Sequence, residues 1–355
     1  MKQIKNKKTL MVLLIISIVL IGNYTVIAFD PFKLTHDDVN GIEKVINEAW
    51  SGELTQFGLS NTSVISLATT ERYLYAGTWG DGVFRKDVTV EDSEWEYLGF
   101  DGEIVKSIYI DPAFPQTVYV GLSVCEEINE HGEPHSLYRS VDGGQNWVFC
   151  DQNIVYSYDT LCRLPVLCID GIPGDPWTLY ATSSAHVFKS TNQGLSWSLI
   201  YDQYDGAGLH DLKIDPSNPQ CIWAAGEGSI EWPTIIKSTD GGQTWTSVTP
   251  DFDGCNACYS IVIGPQNSDI VYAGTEGCLL KTVNGGADWS NVFSPGSYPY
   301  IKGMVLDPSR PNHIIFGESP NGENFPFKLW GSGNSGQTWN SCMNGIKMGI
   351  ISMLL

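Results

Sequence analysis

The polar motif Ser238-Thr-Asp-Gly-Gly-Gln-Thr-Trp245 places hydroxyl and carboxylate side chains close together in the chain. Such groups can transfer protons or bind a cation, and they can also simply close a turn. The pattern Ser/Thr-x-Asp/Asn-x-Gly-x-x-Trp occurs five times, with spacings of 50, 48, 44 and 50 residues between its tryptophans. Recurrence at this period indicates a repeat architecture rather than one chemical site.

Each residue type in the motif can serve a turn. Asp or Asn at the third position can accept hydrogen bonds from backbone N–H groups of its own turn. Gly supplies a positive φ, and Trp places a large ring against strand side chains. We therefore predict that the motif is structural. Its residues are Ser140, Asp142, Gly144, Trp147, Ser190, Asn192, Gly194, Trp197, Ser238, Asp240, Gly242, Trp245, Thr282, Asn284, Gly286, Trp289, Ser332, Asn334, Gly336 and Trp339.

Every repeat carries four segments of β-forming residues. The first ends in a turn that usually contains proline, as in Ile108–Pro115, the third leads into the motif and the fourth leaves it through the Trp. Four short strands per repeat is the pattern of a β-propeller blade. An earlier unit, Val64–Gly99, has the strands but a degenerate motif. We predict an all-β propeller with six complete blades. The alternative is a seven-bladed ring, incomplete or closed by Gly52–Leu59 and Gly349–Leu355.

The N-terminus has the features of an export signal. Four lysines precede a long apolar run that starts at Leu10. Val26-Ile27-Ala28 then offers the small residues at which a signal peptide is cleaved. An uncleaved membrane anchor is the alternative, and either places the remainder outside the cytoplasm. The predicted organisation is a signal peptide or anchor at 1–28, a linker at 29–50 and the propeller at 51–355.

The charge balance argues against nucleic acid as a partner. The chain has a formal net charge of −20, and without the four N-terminal lysines 16 basic residues face 40 acidic ones. Such a surface repels phosphate backbones. The remaining partners are a glycan or an extracytoplasmic protein, with membrane contact only through the possible anchor, and we expect a monomer.

The nine cysteines do not form a recognisable metal-binding pattern. Cys255-Asn-Ala-Cys258 is a single CxxC without a second one, so a local disulfide or buried thiols are expected there. His131 and His135 lie in a loop with Gly and Pro, and Asp251-Phe-Asp253 falls short of a calcium loop. We expect no metal and no cofactor.

The repeated motif resembles the Asp-box, or BNR repeat. This motif recurs in sialidases, oligoxyloglucan-type glycoside hydrolases, the sortilin-type receptor domain and the photosystem II assembly factor group. The resemblance covers about residues 60–345 and implies a β-propeller of four-stranded blades. It does not imply one activity, because these families share the motif and differ in chemistry.

Two departures limit the transfer of activity from these families. The sialidase resemblance implies an Arg-Ile-Pro signature before the first box and three inward arginines, whereas Arg163-Leu164-Pro165 follows a box and the chain has five arginines in all. The segment Tyr75–Arg85 resembles the first repeat of oligoxyloglucan-type hydrolases. It has Trp79 where that family carries its catalytic Asp, and Asp81 lies two residues further on.

Chemistry is expected on the rim opposite the boxes. In a four-stranded blade the box turns share one rim with the turns between first and second strands. The longer and more variable connections share the other rim, as functional loops on a rigid scaffold do. Aromatic residues there would stack on sugars, namely Trp79, Tyr156, Tyr158, Tyr204, Trp232 and Tyr298. Candidate carboxylates for catalysis are Asp81, Asp205, Glu231 and Asp253.

Two functions follow from these features. The first is a non-catalytic propeller that binds a glycan or a protein through the variable rim. The alternative is a glycoside hydrolase that uses two rim carboxylates.

Overall fold

The structure is a computed structural model. It describes residues 62, 64–90, 92–124, 134–154, 164–202, 208–228, 233–251, 254–294, 300–308, 310–319 and 328–341, and two short strands closer to the N-terminus. Within these segments there is no helix, and hence none that could cross a membrane. Apart from the backbone of Ile27–Ala28, the predicted signal or anchor lies outside the described residues.

The described chain forms six four-stranded antiparallel sheets, each made of four consecutive strands. This arrangement confirms the predicted six-bladed β-propeller. The strands of blade 1 are β3 (Val64–Thr69), β4 (Tyr73–Thr78), β5 (Val83–Asp87) and β6 (Trp95–Gly99). Those of blade 2 are β7 (Val105–Ile110), β8 (Val118–Leu122), β9 (Leu137–Ser140) and β10 (Val148–Phe149). Those of blade 3 are β11 (Cys168–Gly171), β12 (Leu179–Ser183), β13 (His186–Ser190) and β14 (Ser198–Asp202).

The last three blades repeat the pattern. The strands of blade 4 are β15 (Gly208–Ile214), β16 (Ile222–Glu227), β17 (Pro233–Ser238) and β18 (Thr246–Ser247). Those of blade 5 are β19 (Cys258–Ile263), β20 (Val271–Thr275), β21 (Leu279–Thr282) and β22 (Trp289–Phe293). Those of blade 6 are β23 (Tyr300–Asp307), β24 (Arg310–Ser319), β25 (Lys328–Ser332) and β26 (Asn340–Ser341).

A separate two-stranded sheet pairs β1 (Ile27–Ala28) with β2 (Thr55–Gln56). Thr55 and Gln56 belong to the segment predicted to help close the ring. The other predicted closing segment, Gly349–Leu355, lies outside the described residues. Closure of the ring by the two termini therefore stays a prediction.

The order of the strands follows from their burial. Second strands are buried almost throughout, as in β8 and β20, because they lie between two strands and between two neighbouring blades. First strands of successive blades, such as β3 and β7 or β19 and β23, contact each other, which places the first strands around the propeller axis. Fourth strands are short and largely exposed, as in β10 and β18. The turns that contain the boxes therefore lie on one side of the ring, which we call the box side. The connections from one blade to the next lie on the opposite side, which we call the link side.

Candidate functional site

The box residues form a repeated turn whose polar groups hydrogen-bond to one another. In the third box, the hydroxyl of Ser238 donates to Asp240 Oδ1 at 2.8 Å and accepts from the backbone N–H of Gly242 at 2.9 Å. Asp240 Oδ1 also accepts from the backbone N–H of Thr244 at 2.9 Å. The other four boxes repeat these bonds with their own Ser or Thr and Asp or Asn. Gly242 has a φ of 87°, which a side chain would strain.

The boxes also connect neighbouring blades. The indole N–H of Trp197 in blade 3 donates to the backbone carbonyl of Cys150 in blade 2 at 2.8 Å. Trp147, Trp289 and Trp339 make the equivalent bond to the preceding blade. In the opposite direction, tyrosines of second strands donate to a box carbonyl of the next blade, as Tyr180 does to Gly241 at 3.0 Å. Most box side chains therefore bond within their own turn or to a neighbouring blade, and their purely structural role stays a prediction that these bonds support.

The predicted rim candidates are only partly within the described residues. Asp81 is an exposed turn residue, and its backbone N–H donates to Thr78 Oγ1 at 2.9 Å. The indole of Trp79 is 53% exposed, the value expected of a ring available to a ligand. The remaining candidates lie outside the described residues: Asp205, Glu231, Asp253, Tyr156, Tyr158, Tyr204, Trp232 and Tyr298.

The structure brings a different set of side chains together at the link-side end of the axis. The first strands of five blades carry a β-bulge close to their start, where one residue is left unpaired. A bulge changes the direction in which side chains leave the strand, and bulges are frequent next to functional sites. The extra residues are Ile65, Lys106, His210, Tyr259 and Lys302.

Three further residues reach the same end from the second strands. Trp79 follows β4, Glu227 ends β16 and Glu276 follows β20. Trp79 and Glu276 pair with the chain that enters the next blade, through bridges to Ile104 and Tyr300. We define the mouth cluster by its residues Trp79, Lys106, His210, Glu227, Tyr259, Glu276, Tyr300 and Lys302. It draws on blades 1, 2, 4, 5 and 6.

The carboxylate of Glu227 lies beside the imidazole of His210. Its Oε1 lies 3.5 Å from Nε2 of His210, and the Glu227 side chain is 34% exposed. This contact with His210 lowers the pKa of Glu227, against the opposing effect of burial. The His210 ring also stacks on Tyr259, with 5.0 Å between ring centroids. Glu227 is therefore a half-buried anion beside an aromatic face.

The second carboxylate, Glu276, lies next to two tyrosines. The rings of Tyr259 and Tyr300 are 5.3 Å apart between centroids. Burial raises the pKa of both hydroxyls, and the negative charges of Glu227 and Glu276 raise both further. The negative charges of Glu227 and Glu276 therefore both reach this pair of tyrosines.

Two lysines complete the cluster. Nζ of Lys106 lies 4.7 Å from the ring centroid of Trp79, and Nζ of Lys302 lies 5.2 Å from that of Tyr259 and 5.1 Å from that of Tyr300. Burial lowers the pKa of both ammonium groups, and the charge of Lys106 lowers that of Lys302 further. The two cations are therefore close enough to repel one another.

Further along the first strands, acidic side chains serve the fold. Asp170 of β11 accepts from the backbone N–H of Ile214 in β15 at 2.9 Å, and Asp211 of β15 accepts from that of Ile261 in β19 at 2.9 Å. Each carboxylate thus caps a free strand edge of the next blade. Burial raises the pKa of Asp170 to about 6, while the nearby Lys213 opposes the shift.

The cysteines are paired differently from the sequence pattern. Cys255 forms a disulfide with Cys278, 23 residues away, and not with Cys258. Cys258 is a buried thiol. The bridge ties the link between blades 4 and 5 to the turn that carries Glu276. Among the residues that the structure describes, no group of three or more His, Cys, Asp or Glu side chains could hold a metal, and His131 lies outside them.

Sequence reasoning missed most of the mouth cluster because it searched the long loops. Only Trp79 was a candidate. Aligning the repeats on the starts of their first strands would have found a signal, since Lys106, His210, Tyr259 and Lys302 share one position there. Glu227 and Glu276 likewise stand at matching ends of their second strands.

Comparison with known sequences points to xyloglucanases over part of the chain. No family model matches. A xyloglucanase of Hypocrea jecorina is 30% identical over 155 residues, which is 38% of this chain and 18% of that protein. A probable oligoxyloglucan-reducing end-specific xyloglucanase of Neosartorya fischeri is 22% identical over 258 residues, 59% of this chain and 30% of that protein. The chain therefore spans less than a third of the length of these relatives.

Comparison with solved structures shows the fold. A GH74 enzyme of Niastella koreensis superposes with a TM-score of 0.60 at 22% identity, covering 78% of this chain and 45% of that one. YCF48 of Cyanidioschyzon merolae superposes with a TM-score of 0.58 at 14% identity, covering 82% and 89%. Both agree with the resemblance drawn from the repeated motif. The chain is a six-bladed β-propeller similar in fold to GH74 and YCF48 proteins, and its partial sequence relatives are xyloglucanases.

Proposed function

We propose that this protein is a carbohydrate-active enzyme that hydrolyses a β-linked glucan of the xyloglucan type at the mouth cluster. One observation carries the proposal: two carboxylates and three aromatic rings from separate blades converge at one end of the axis. The sequence relatives, which are xyloglucanases, support the hydrolase over the non-catalytic binding module that the sequence alone favoured.

The aromatic side chains supply the binding surface. Sugar rings have apolar faces that pack on flat aromatic side chains, while their hydroxyls bond to nearby polar groups. The exposed ring of Trp79 and the adjoining rings of Tyr259 and Tyr300 offer such faces. His210 and the two lysines offer donors around them. A glucan chain would lie across the axis with its rings on these side chains.

The two carboxylates supply the chemistry. Glycoside hydrolysis needs one carboxylic acid that protonates the leaving oxygen and one carboxylate that activates water or attacks the sugar. Glu227 suits the second role, because the contact with His210 lowers its pKa. Glu276, the other carboxyl group beside the same tyrosines, takes the first role in its protonated form. Its proton goes to the glycosidic oxygen as the bond from that oxygen to the anomeric carbon breaks, water supplies the hydroxyl of the new reducing end, and the remaining proton of the water goes to Glu227 when Glu227 acts as the base.

Binding of a glycan without cleavage is the second candidate. It is favoured by Trp79, which stands where the resemblance to oligoxyloglucan-type hydrolases places a catalytic Asp. An aromatic side chain at that position can bind a sugar but cannot transfer a proton. Both candidates use the same cluster and differ only in turnover. We also propose an extracytoplasmic location, supported by the export signal predicted at 1–28, since a polysaccharide substrate would lie outside the cell.

The test is the release of reducing ends from xyloglucan by the purified protein and by Glu227→Gln and Glu276→Gln variants. We expect release by the wild type, and a loss of at least about a hundredfold in each variant with glucan binding retained. Asp81→Asn, in an exposed turn, is the control and should keep full activity. Binding with no release by the wild type would select the second candidate. Neither binding nor release would refute both.

A further inference from the structure

Two lysines of the mouth cluster differ from the other lysines of the propeller. Lys189, Lys237 and Lys281 each donate to a backbone carbonyl of the next blade at 2.8 to 3.0 Å. Lys213 pairs with Asp211 at 2.9 Å. Lys106 and Lys302 make no hydrogen bond or ion pair with any residue that the structure describes, and only aromatic faces hold them in place.

Their position is specified by the fold. Both are the extra residue of a first-strand bulge, in blades 2 and 6, so both occupy the same position at the start of a strand that lies beside the axis. Each is half-buried. An ammonium group has three N–H donors, and an aromatic face satisfies its charge in part without accepting directional bonds. Each lysine therefore keeps free donors at the place where a ligand would bind.

The energetic state of the pair favours an anion. Burial lowers the pKa of both ammonium groups, and repulsion by Lys106 lowers that of Lys302 further, while the charge of Glu276 opposes the shift at Lys302. A carboxylate placed between them would relieve the repulsion and accept charge-assisted hydrogen bonds. Neutral hydroxyls would give weaker bonds and leave the repulsion in place.

We propose that Lys106 and Lys302 form a subsite for a sugar carboxylate, so that the preferred ligand is a β-1,4-linked glycan carrying an isolated uronate. This inference rests on the proposed glycan site and specifies its substrate class. A polyuronate is disfavoured, because the chain has a net charge of −20 and the negative charge of Glu276 acts on Lys302. One carboxylate can bind between the two cations, whereas the acidic side chains of the protein would repel the further carboxylates of a polyuronate.

The test is a calorimetric titration of the full protein, made inactive by Glu276→Gln, with three probes. They are a cellotriose carrying one glucuronate, the methyl ester of the same compound, and unsubstituted cellotetraose, all with the β-1,4-glucan backbone of the proposed substrate. We expect the acid to bind about tenfold more tightly than its ester or the neutral sugar. At alkaline pH, where the lysines begin to lose their protons, binding of the acid should also take up protons, because a bound anion raises their pKa.

Lys106→Met and Lys302→Met keep the aliphatic stem and remove the charge. Each should reduce the preference for the acid to less than about threefold and change the affinity for cellotetraose little. Lys281→Met is the matched control, since Lys281 also lies over a tyrosine ring but on the outer part of blade 5. It should leave the preference unchanged.

Two results would overturn the inference. One is equal affinity for the acid and its ester, and the other is a preference that survives both substitutions at the mouth. If neutral sugars bind and are cleaved by the active protein without any such preference, the proposed function stands and this inference fails. If no probe and no xyloglucan binds, both fail.

Discussion

Replacing Trp197 with phenylalanine should destabilise the protein more than the same replacement of Trp245, although the two residues occupy the same box position. Trp197 is 2% exposed, and its indole N–H donates to the carbonyls of Cys150 at 2.8 Å and Gly194 at 3.0 Å. The indole N–H of Trp245 is buried and has no acceptor among the described residues. The two positions therefore differ in the bond between blades, in the bond to Gly194 and in burial, since Trp245 is half-buried.

The expected magnitudes follow from these contacts. Trimming indole to phenyl removes apolar contact worth about 1 kcal/mol at either site. At Trp197 it also leaves buried carbonyls without their donor, which costs about 1–3 kcal/mol more. At Trp245 it removes a buried N–H that had no partner, which offsets the lost contact. We expect the free energy of unfolding to fall by about 2–4 kcal/mol for Trp197→Phe and by less than about 1 kcal/mol for Trp245→Phe.

The assay is urea denaturation followed by far-ultraviolet circular dichroism, with the same slope required of both variants so that midpoints report stability. Alanine at either position should cost about 3–5 kcal/mol, because the whole ring is lost. Equal losses for the two phenylalanine variants, or a larger loss at Trp245, would refute the role given to the bond between blades.

Three further predictions concern pH and redox state. Burial raises the pKa of Asp170 to about 6 from an ordinary 3.8, so the folded state binds the proton of this carboxyl more tightly than the unfolded state does. The free energy of unfolding should therefore fall by at most about 3 kcal/mol as the pH rises from 4 to 6. Urea titrations of Asp170→Asn should show no such fall. Hydrogen bonds from Thr244 and Ser238 lower the pKa of Asp240 to about 2. The ionised carboxylate therefore contributes to the free energy of unfolding above pH 4, and this contribution is lost as the pH falls through 2. Asp240→Asn should make the free energy of unfolding depend less on pH in this range, and an unchanged dependence would contradict the prediction. Reduction of the disulfide Cys255–Cys278, which closes a 23-residue span, should lower the free energy of unfolding by about 2–4 kcal/mol and weaken glucan binding. The measurement is thermal unfolding with and without dithiothreitol. The control is a double variant, Cys255→Ala with Cys278→Ala, whose unfolding should not respond to dithiothreitol.

The fold was predictable because its signal is repeated. Five boxes at near-equal spacing indicate blades whatever the intervening loops do, and the box chemistry is local to each turn. Trp245 shows the limit of such a pattern. The motif assigns it the same role as Trp197, yet its N–H lacks the acceptor that Trp197 has in the preceding blade. That difference depends on how two sheets pack, which a local motif does not encode.

The candidate site was not predictable in the same way. Glu227 and Glu276 end ordinary apolar strands, and only the circular arrangement of the blades brings them beside Tyr259. The long loops drew attention because loops commonly carry function. Cys255 illustrates the same point for covalent structure, because the nearby Cys258 suggested a local pair whereas the fold places Cys278 within reach.

The most direct test of the account is a crystal structure of the Glu276→Gln variant with a xyloglucan oligosaccharide. The account predicts sugar rings on Trp79, Tyr259 and Tyr300, with a glycosidic oxygen beside residue 276 and Glu227 on the opposite face of the sugar. An oligosaccharide seated on the box side of the ring, against residues such as Asp240, would contradict it.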